Sequence, residues 1–332
     1  MIYDIDQIMS NCILCPRNCH VDRTADKRGY CNAPSTITAA RAALHYWEEP
    51  CISGTKGSGA VFFSGCNMGC IFCQNQPISH GNVAKGITIQ RLADIYLELQ
   101  EQGAHNINLV TPSHYVPQIA NSLEMARNKG LSIPVLYNTS SYESVETLKM
   151  LDGLIDIYLP DCKYFSDELA IGLSNAPKYF EIATDAIKEM LRQVGTPHFL
   201  HEGRLINAEE YNEVIEEMTD DDYVGPLMKK GVIIRHLVLP RQIEDSKKVI
   251  ASLIKTFGNK VFLSIMGQYT PMKQLSERSL SSELSFLKET ITEDEYDELL
   301  DFAIDCGLEN GFMQSLETSS ESFIPAFDYK GI

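Results

Sequence analysis

The chain has 332 residues, 44% of them hydrophobic and 9% aromatic, which supports a substantial core and bounds the architecture at one large or two ordinary domains. A formal net charge of -17 argues against a phosphate-backbone partner, because nucleic-acid binding rests on surplus lysine and arginine. No apolar stretch reaches the roughly 20 residues of a membrane span, and the acidic start MIYDIDQIMS is unlike a signal peptide, so the expectation is a globular, cytoplasmic protein with no membrane or nucleic-acid partner.

In a reducing cytosol, clustered cysteines are metal ligands more often than disulfides. The first cluster, NCILCPRNCHVDR followed by RGYC, sets Cys12, Cys15, Cys19 and Cys31 in one short arm. Four such thiolates could close a tetrahedral zinc site, ligate an auxiliary iron-sulfur cluster, or stay unmetallated. A closed site would be structural, tying down an arm too small to bury its own core.

The second cluster lies in AVFFSGCNMGCIFCQNQPIS, where Cys66, Cys70 and Cys73 are spaced C-x3-C-x2-C. Three thiolates can hold three corners of a [4Fe-4S] cluster and leave the fourth iron open. A structural zinc completed by His80, or plain buried thiols, is the competing reading. The apolar run from Ala60 to Phe63 breaks at Ser64-Gly65, so the triplet starts in a loop at the C-terminal end of a strand, the end where sheets and barrels bind ligands.

Strand and helix then alternate. Ile89, Leu92, Tyr96 and Leu99 give a helical stripe from Ile89 to Gln102, stopped by Gly103. A strand is expected within Asn106 to Pro117, a helix over Pro117 to Lys129, a strand and loop over Pro134 to Ser144, and a short helix near Val145 to Leu151. Next come strands in Gly153 to Tyr164 and near Lys178 to Ile182, and a helix near Asp185 to Gln193. The segment from about 197 to 228, with an acidic helix near Ala208 to Met218, reads as an insertion on the rim. Strands in Gly231 to Pro240 and Lys260 to Pro271 flank a helix at Glu244 to Phe257. Thr292 and Glu295 form a capping box for a helix ending near Cys306, and GFMQS closes as a last strand. The acid runs Asp220-Asp221-Asp222 and Glu293 to Asp301 read as a solvated loop and helix face. Apolar strands separated by amphipathic helices imply a parallel sheet covered by helices, either a barrel or an open doubly wound sheet.

The triplet, with aromatic Phe72 before its last cysteine, resembles the signature of radical SAM enzymes. Together with HYWEEPCISGTKGSG and the strand motifs, it is similar to the poorly characterised relatives of pyruvate formate-lyase activating enzyme over nearly the whole length, with a gap around 197 to 228. The resemblance implies a partial (α/β)6 TIM-like barrel over 56–275, a Cys-rich N-terminal extension over 1–55 and a C-terminal helical segment over 276–332. It also implies S-adenosylmethionine bound at the open iron, and its reductive cleavage to a 5'-deoxyadenosyl radical that abstracts hydrogen. Flavodoxin or ferredoxin would supply the electron, and a glycyl radical enzyme would be the protein substrate.

Several residues are candidates for that site. Asn75 would meet cluster sulfur or the methionyl group, with an ordinary loop role as the alternative. Thr111-Pro112-Ser113 stands where the family commonly reads GGE, and Thr111 and Ser113 would still offer a carbonyl and a hydroxyl to an ammonium. Asn138 and Ser140 fall where ribose contacts are common, with a plain turn as the alternative. Asp161 and Lys163, past the end of a strand, suit a catalytic face or an internal ion pair. Alternation sends Arg235 or His236 inward: Arg235 would suit a carboxylate or anionic substrate, and His236 reads as a core histidine. Ser264, Met266 and Gln268 replace the histidine usual in pyruvate formate-lyase activators, leaving open radical modification of a small molecule or other peptide. Cys51, Cys162 and Cys306 are isolated and read as small buried hydrophobes, with a thiol or radical role as the alternative for Cys162 beside Asp161. From another class, a non-catalytic electron carrier or zinc-stabilised interaction protein fits the cysteines but not the barrel-sized alternation.

Overall fold

The structure is a computed structural model that describes residues 2–218, 225–272, 275, 281–313, 316 and 325–332. The acid run Asp220 to Asp222, and the last two residues of GFMQS, lie outside the described residues.

The chain begins with a short helix α1 (Ile5–Met9) and a looped arm, then β1 (Ile37–His45), α2 (Pro50–Ser53), β2 (Ser58–Phe63), α3 (Gln76–Ser79) and β3 (Lys85–Ile87). Alternation follows with α4 (Ile89–Glu101), β4 (Ile107–Val110), α5 (Val116–Asn128), β5 (Val135–Thr139), α6 (Val145–Leu148) and β6 (Ile157–Pro160). Then come α7 (Asp167–Ser174), α8 (Tyr179–Val194), the hairpin β7 (His198–His201) and β8 (Arg204–Ile206), and α9 (Ala208–Glu217). The chain continues through β9 (Leu227–Leu237), α10 (Ile243–Phe257), β10 (Phe262–Met266), α11 (Glu293–Asp305) and β11 (Gly311–Met313).

The strands form one mixed sheet in the order β11-β10-β9-β6-β5-β4-β2-β1-β3, with β7 and β8 attached to β9. From β2 to β11 all neighbours are parallel, whereas β1 runs antiparallel to β2 and β3 antiparallel to β1. Among the described residues β3 and β11 do not meet, so the sheet is open. This is the α/β class expected, with an unclosed sheet.

Alternation divides the strands between two faces. Val61, Phe63, Leu109, Tyr137, Tyr158, Ile234 and Leu263 pack with Leu92, Tyr96, Ile119, Leu123, Ile187 and Leu253 of the helices in the largest core. Each large apolar side chain so buried contributes roughly 1.5–3 kcal/mol. On the opposite, inner face, Leu136, Ile157, Leu159, Ile233 and Phe262 pack against Phe199 and Tyr211.

Most helices start and stop where their residues predict. The Thr88 hydroxyl caps α4 by accepting the Arg91 N–H at 3.0 Å, and Gly103 at φ 91° ends it. The capping box of Thr292 and Glu295 opens α11. One expectation fails: Lys178 to Ile182 is not a strand but the start of α8. Tyr179, Ala183, Ala186, Ile187, Met190 and Val194 are all buried on α8, so its helical stripe begins at Tyr179, and a short apolar run cannot by itself distinguish strand from helix. Arg235 therefore stands in the fifth parallel strand. The segment 197–228 carries the hairpin and α9, and β7 pairs with β9 around Leu227 to Lys230, at the start of that strand. It closes the end of the inner face opposite the cysteine triplet.

Candidate metal and cofactor site

The triplet follows β2 through a turn that only glycine fits. Gly65 has φ 94°, and a Cβ there would lie 2.6 Å from the Cys31 carbonyl oxygen. The Gly65 N–H donates to Ile78 O at 2.8 Å and His114 Nε2 donates to Ser64 O at 2.8 Å, pinning the strand exit. Burial keeps His114 neutral by pushing its pKa down to about 3.

Each triplet sulfur faces a hydrogen-bond donor. The Met68 N–H lies 3.4 Å from Cys66 Sγ, the Ser174 hydroxyl 2.9 Å from Cys70 Sγ, and the Asn75 N–H and Ser79 act to lower the Cys73 thiol against its burial. Burial pushes all three thiols up, Cys73 to about 11, with Cys70 raising both Cys66 and Cys73 further. Phe72 packs edge-on against Tyr269 with ring centroids 6.0 Å apart, and Met68, Tyr142 and Tyr164 extend this apolar wall. Among the described residues, no three His, Cys, Asp or Glu side chains converge as a ready ligand set. The chemistry of the triplet nonetheless fits a thiolate-ligated iron-sulfur cluster: soft donors, each supplied with an N–H or O–H, beside an apolar wall.

Behind the triplet lies a charged network on the inner face. Arg235 of β9 donates from Nε to Asp161 Oδ1 at 3.0 Å, from one terminal nitrogen to Glu48 Oε2 at 3.0 Å, and from the other to Asn138 Oδ1 at 2.7 Å. Lys163 Nζ donates to Asp161 Oδ2 at 2.6 Å, and its charge also acts on Cys70. Asn108 Nδ2 donates to Glu48 Oε1 at 2.8 Å. Burial alone would raise the Asp161 carboxyl, but Lys163 and Arg235 outweigh it and hold the group below the usual carboxylate range. Glu49 goes the other way: burial, reinforced by Glu48, pushes it up despite Arg235. Beside this network a cleft is lined by Arg41, His45, Tyr46, Trp47, Phe62 and Pro325. Burial, with Arg41 and Arg235 nearby, holds His45 below its ordinary pKa.

The ends of β4 and β5 are strained. Thr111 has φ 57° and Ser141 φ 63°, a left-handed backbone that a β-branched threonine adopts only under constraint. At Thr111 the constraint is its N–H bond to Asn138 O at 2.9 Å. Glu143 is buried and accepts hydrogens from Ser113, Thr139 and, at 3.3 Å, Tyr137. Burial overcomes those donors and pushes its carboxyl up to about 7. The Ser140 carbonyl lies 2.8 Å from the Tyr179 hydroxyl, which is also 2.9 Å from Asp161 O.

The structure thus brings Asn138, Asp161, Lys163 and Arg235 into one network adjoining Cys70. Ser113 and Asn75 serve locally, Ser113 on Glu143 and Asn75 as N-cap of α3 and donor to Cys73. His236 points away from this network, with Nδ1 at 2.7 Å from Cys162 O, and Cys162 is fully buried. Glu48, Glu49, Glu143 and Ser174 were missed in the sequence. The only signal for the first pair is two adjacent acids in HYWEEP, and for Ser174 there is none, because it meets Cys70 across 104 residues.

The Cys-rich arm rests against the triplet loop. Arg17 lies 3.7 Å from the Tyr30 ring centroid and 5.1 Å from that of Tyr142, and its Nε donates to Asn67 O at 2.8 Å. Asn67 Nδ2 in turn donates to Tyr142 O at 2.5 Å. Asn32 Nδ2 reaches His80 O at 3.1 Å, and Arg23 donates to His114 O at 2.8 Å.

No protein-family model matches the chain. An uncharacterised protein of Methanocaldococcus jannaschii is 28% identical over 278 residues, which is 81% of this chain and 69% of that protein. Among solved structures, the chain is similar to Streptococcus suis SuiB bound to S-adenosylmethionine, with a TM-score of 0.45 and 14% identity over 75% of this chain and 48% of SuiB. It is also similar to a domain of pyruvate-formate lyase-activating enzyme from Bacteroides vulgatus, with a TM-score of 0.35 and 13% identity over 60% of this chain and 92% of that domain. The chain therefore spans about half the length of SuiB. Among the described residues no helix is long and apolar enough to cross a membrane.

Proposed function

We propose that this chain is a radical S-adenosylmethionine enzyme in which Cys66, Cys70 and Cys73 hold a [4Fe-4S] cluster. When bound, such a cluster supplies the electron that cleaves S-adenosylmethionine to a 5'-deoxyadenosyl radical, which abstracts hydrogen. The observation that carries this reading is the triplet itself: three half-buried, donor-supported sulfurs at the C-terminal end of a parallel strand, backed by a charged network.

The protein's own residues bind, orient and exclude water. Ser174, the Asn75 N–H and Ser79 stabilise thiolate over thiol at Cys70 and Cys73, and Lys163 adds a positive charge beside Cys70. The strained Thr111 carbonyl offers an acceptor of the kind an ammonium requires, while Arg235 and the Tyr179 hydroxyl fix the Asn138 side chain and the Ser140 carbonyl beside it. Arg235 has its nitrogens committed to Asp161, Glu48 and Asn138, so its role is to position those groups. Phe72, Tyr269 and Met68 keep one side of the triplet dry, which protects reactive species from quenching.

The substrate proposed first is the backbone glycine of a glycyl radical enzyme, with flavodoxin or ferredoxin as reductant in the cytoplasm. A second reading, a small molecule or another peptide, is favoured by the cleft beside His45 and Trp47 and by the altered residues Thr111 to Ser113 and Ser264 to Gln268. Anaerobic reconstitution with iron and sulfide, then reduction with S-adenosylmethionine, is the test. The proposal expects 5'-deoxyadenosine from the wild type and none from Cys66→Ala; equal absence from both rejects it.

A further inference from the structure

We propose that Cys12, Cys15, Cys19 and Cys31 form a second, closed site for one zinc ion, and that this ion locks the arm onto the loop carrying Cys66 and Cys70. The inference stands independently of the function proposed above.

All four sulfurs meet a nitrogen donor. Cys15 receives the Arg17 N–H and Cys31 the Ala33 N–H, while the Tyr30 N–H lies 3.4 Å from Cys19 Sγ and the Arg23 guanidinium 3.7 Å from Cys12 Sγ. Such donors stabilise a metal-bound thiolate and offer little to a neutral thiol.

The backbone is shaped around these sulfurs. Cys12 bridges Val21 as a small antiparallel hairpin, and Asn18 and Asn32, next to Cys19 and Cys31, adopt left-handed conformations at φ 43° and 55°. Gly29 leaves space at Cys19, because a Cβ there would sit 3.0 Å from its sulfur. The sulfurs do not yet converge on a common point. Zinc would displace the thiol protons and draw them together, so binding is coupled to ordering of the arm. A metal would add to a small apolar core in the arm, where Met9, Cys12 and Leu14 are buried with Ile5, Ile8 and Val21 partly buried around them. Four thiolates from one segment leave no open position, which is the arrangement of a structural zinc.

The coupling to the triplet runs through neighbours of the ligands. Arg17 follows Cys15 by two residues and holds Asn67 O, between Cys66 and Cys70. Tyr30 precedes Cys31, and its hydroxyl accepts from Asn175 Nδ2 at 3.0 Å. Cys31 O lies against Gly65.

The test uses the full chain with the triplet replaced, Cys66→Ser/Cys70→Ser/Cys73→Ser, so that any remaining metal belongs to the arm. Elemental analysis is expected to find about one zinc per chain, and adding Cys15→Ser/Cys31→Ser is expected to remove it. Cobalt exchanged into the triplet-free chain should give the intense thiolate-to-cobalt absorption of a four-thiolate site, a readout that requires no second variant. Absence of zinc from the triplet-free chain, iron and sulfide in its place, or zinc retained after Cys15 and Cys31 are replaced would each overturn the proposal.

Discussion

The arm with Cys12, Cys15, Cys19 and Cys31 and the loop with Cys66, Cys70 and Cys73 use the same ligand chemistry in different settings. The arm draws its thiols from one segment and its donors from its own backbone and Arg23, and Arg17 clamps it between Tyr30 and Tyr142. The triplet takes one donor from the end of α7 and adjoins Lys163, Asp161, Arg235, Asn138 and Glu48, which come from widely separated parts of the chain. A site that only holds can be local. A site that reacts needs charges placed independently of its ligands, and a sheet supplies them by bringing many strand ends together.

The sharpest way to break this comparison is to remove one ligand from each side. Cys70→Ser is expected to abolish 5'-deoxyadenosine formation, whereas Cys19→Ser should retain turnover while lowering the thermal midpoint. Equal loss of turnover in both, measured in metal-loaded protein, would erase the distinction. Next in size is the network: Arg235→Ala strands Glu48 and Asp161 in a buried setting and should cost about 3–5 kcal/mol in urea unfolding. Arg235→Lys should recover only part, because an ammonium cannot reproduce the three-way fork.

Glu143 gives a pH test. Its carboxyl stands at about 7 in the folded chain against an ordinary 4.5, so the native state holds a proton that the unfolded state releases. The resulting stabilisation is complete below the ordinary value and is lost as pH rises to about 7, a fall of up to about 3 kcal/mol. Unfolding midpoints should therefore decline over that window, and Glu143→Gln should flatten the decline; an unchanged slope would contradict it.

Smaller effects refine the contrast. Arg17→Ala should cost about 1 kcal/mol through the lost cation–π contacts and release Asn67, read as a lower midpoint and faster loss of iron from the triplet. Thr111→Gly, by relieving a left-handed threonine, should leave stability within about 0.5 kcal/mol of wild type, although glycine costs entropy elsewhere. A loss of more than about 2 kcal/mol would show that the threonine side chain, and not its backbone, matters.

Much of this was legible in the sequence because it is local. The triplet, the arm's cysteines, the stripe of α4 and the capping box of α11 are each written within a few residues. The start of α8 was misread because Lys178 to Ile182 is too short to reveal its period, which only the stripe continuing to Val194 establishes. Glu48 and Ser174 could not be found, since each acts across more than 60 residues on Arg235, at 187 positions' distance, or on Cys70, at 104. Asn138, Asp161 and Arg235 were singled out separately. Their joining in one network depends on strand register, Asp161 opposite Arg235 across adjacent strands, and alternation within a single strand does not specify it.

The central claim is that the triplet holds a cluster with an iron open to S-adenosylmethionine. It is tested most directly by electron paramagnetic resonance of the anaerobically reconstituted, reduced chain, recorded with and without that compound. The account predicts a changed cluster signal on addition in the wild type. An identical signal with and without S-adenosylmethionine, in protein carrying a full triplet cluster, would contradict it.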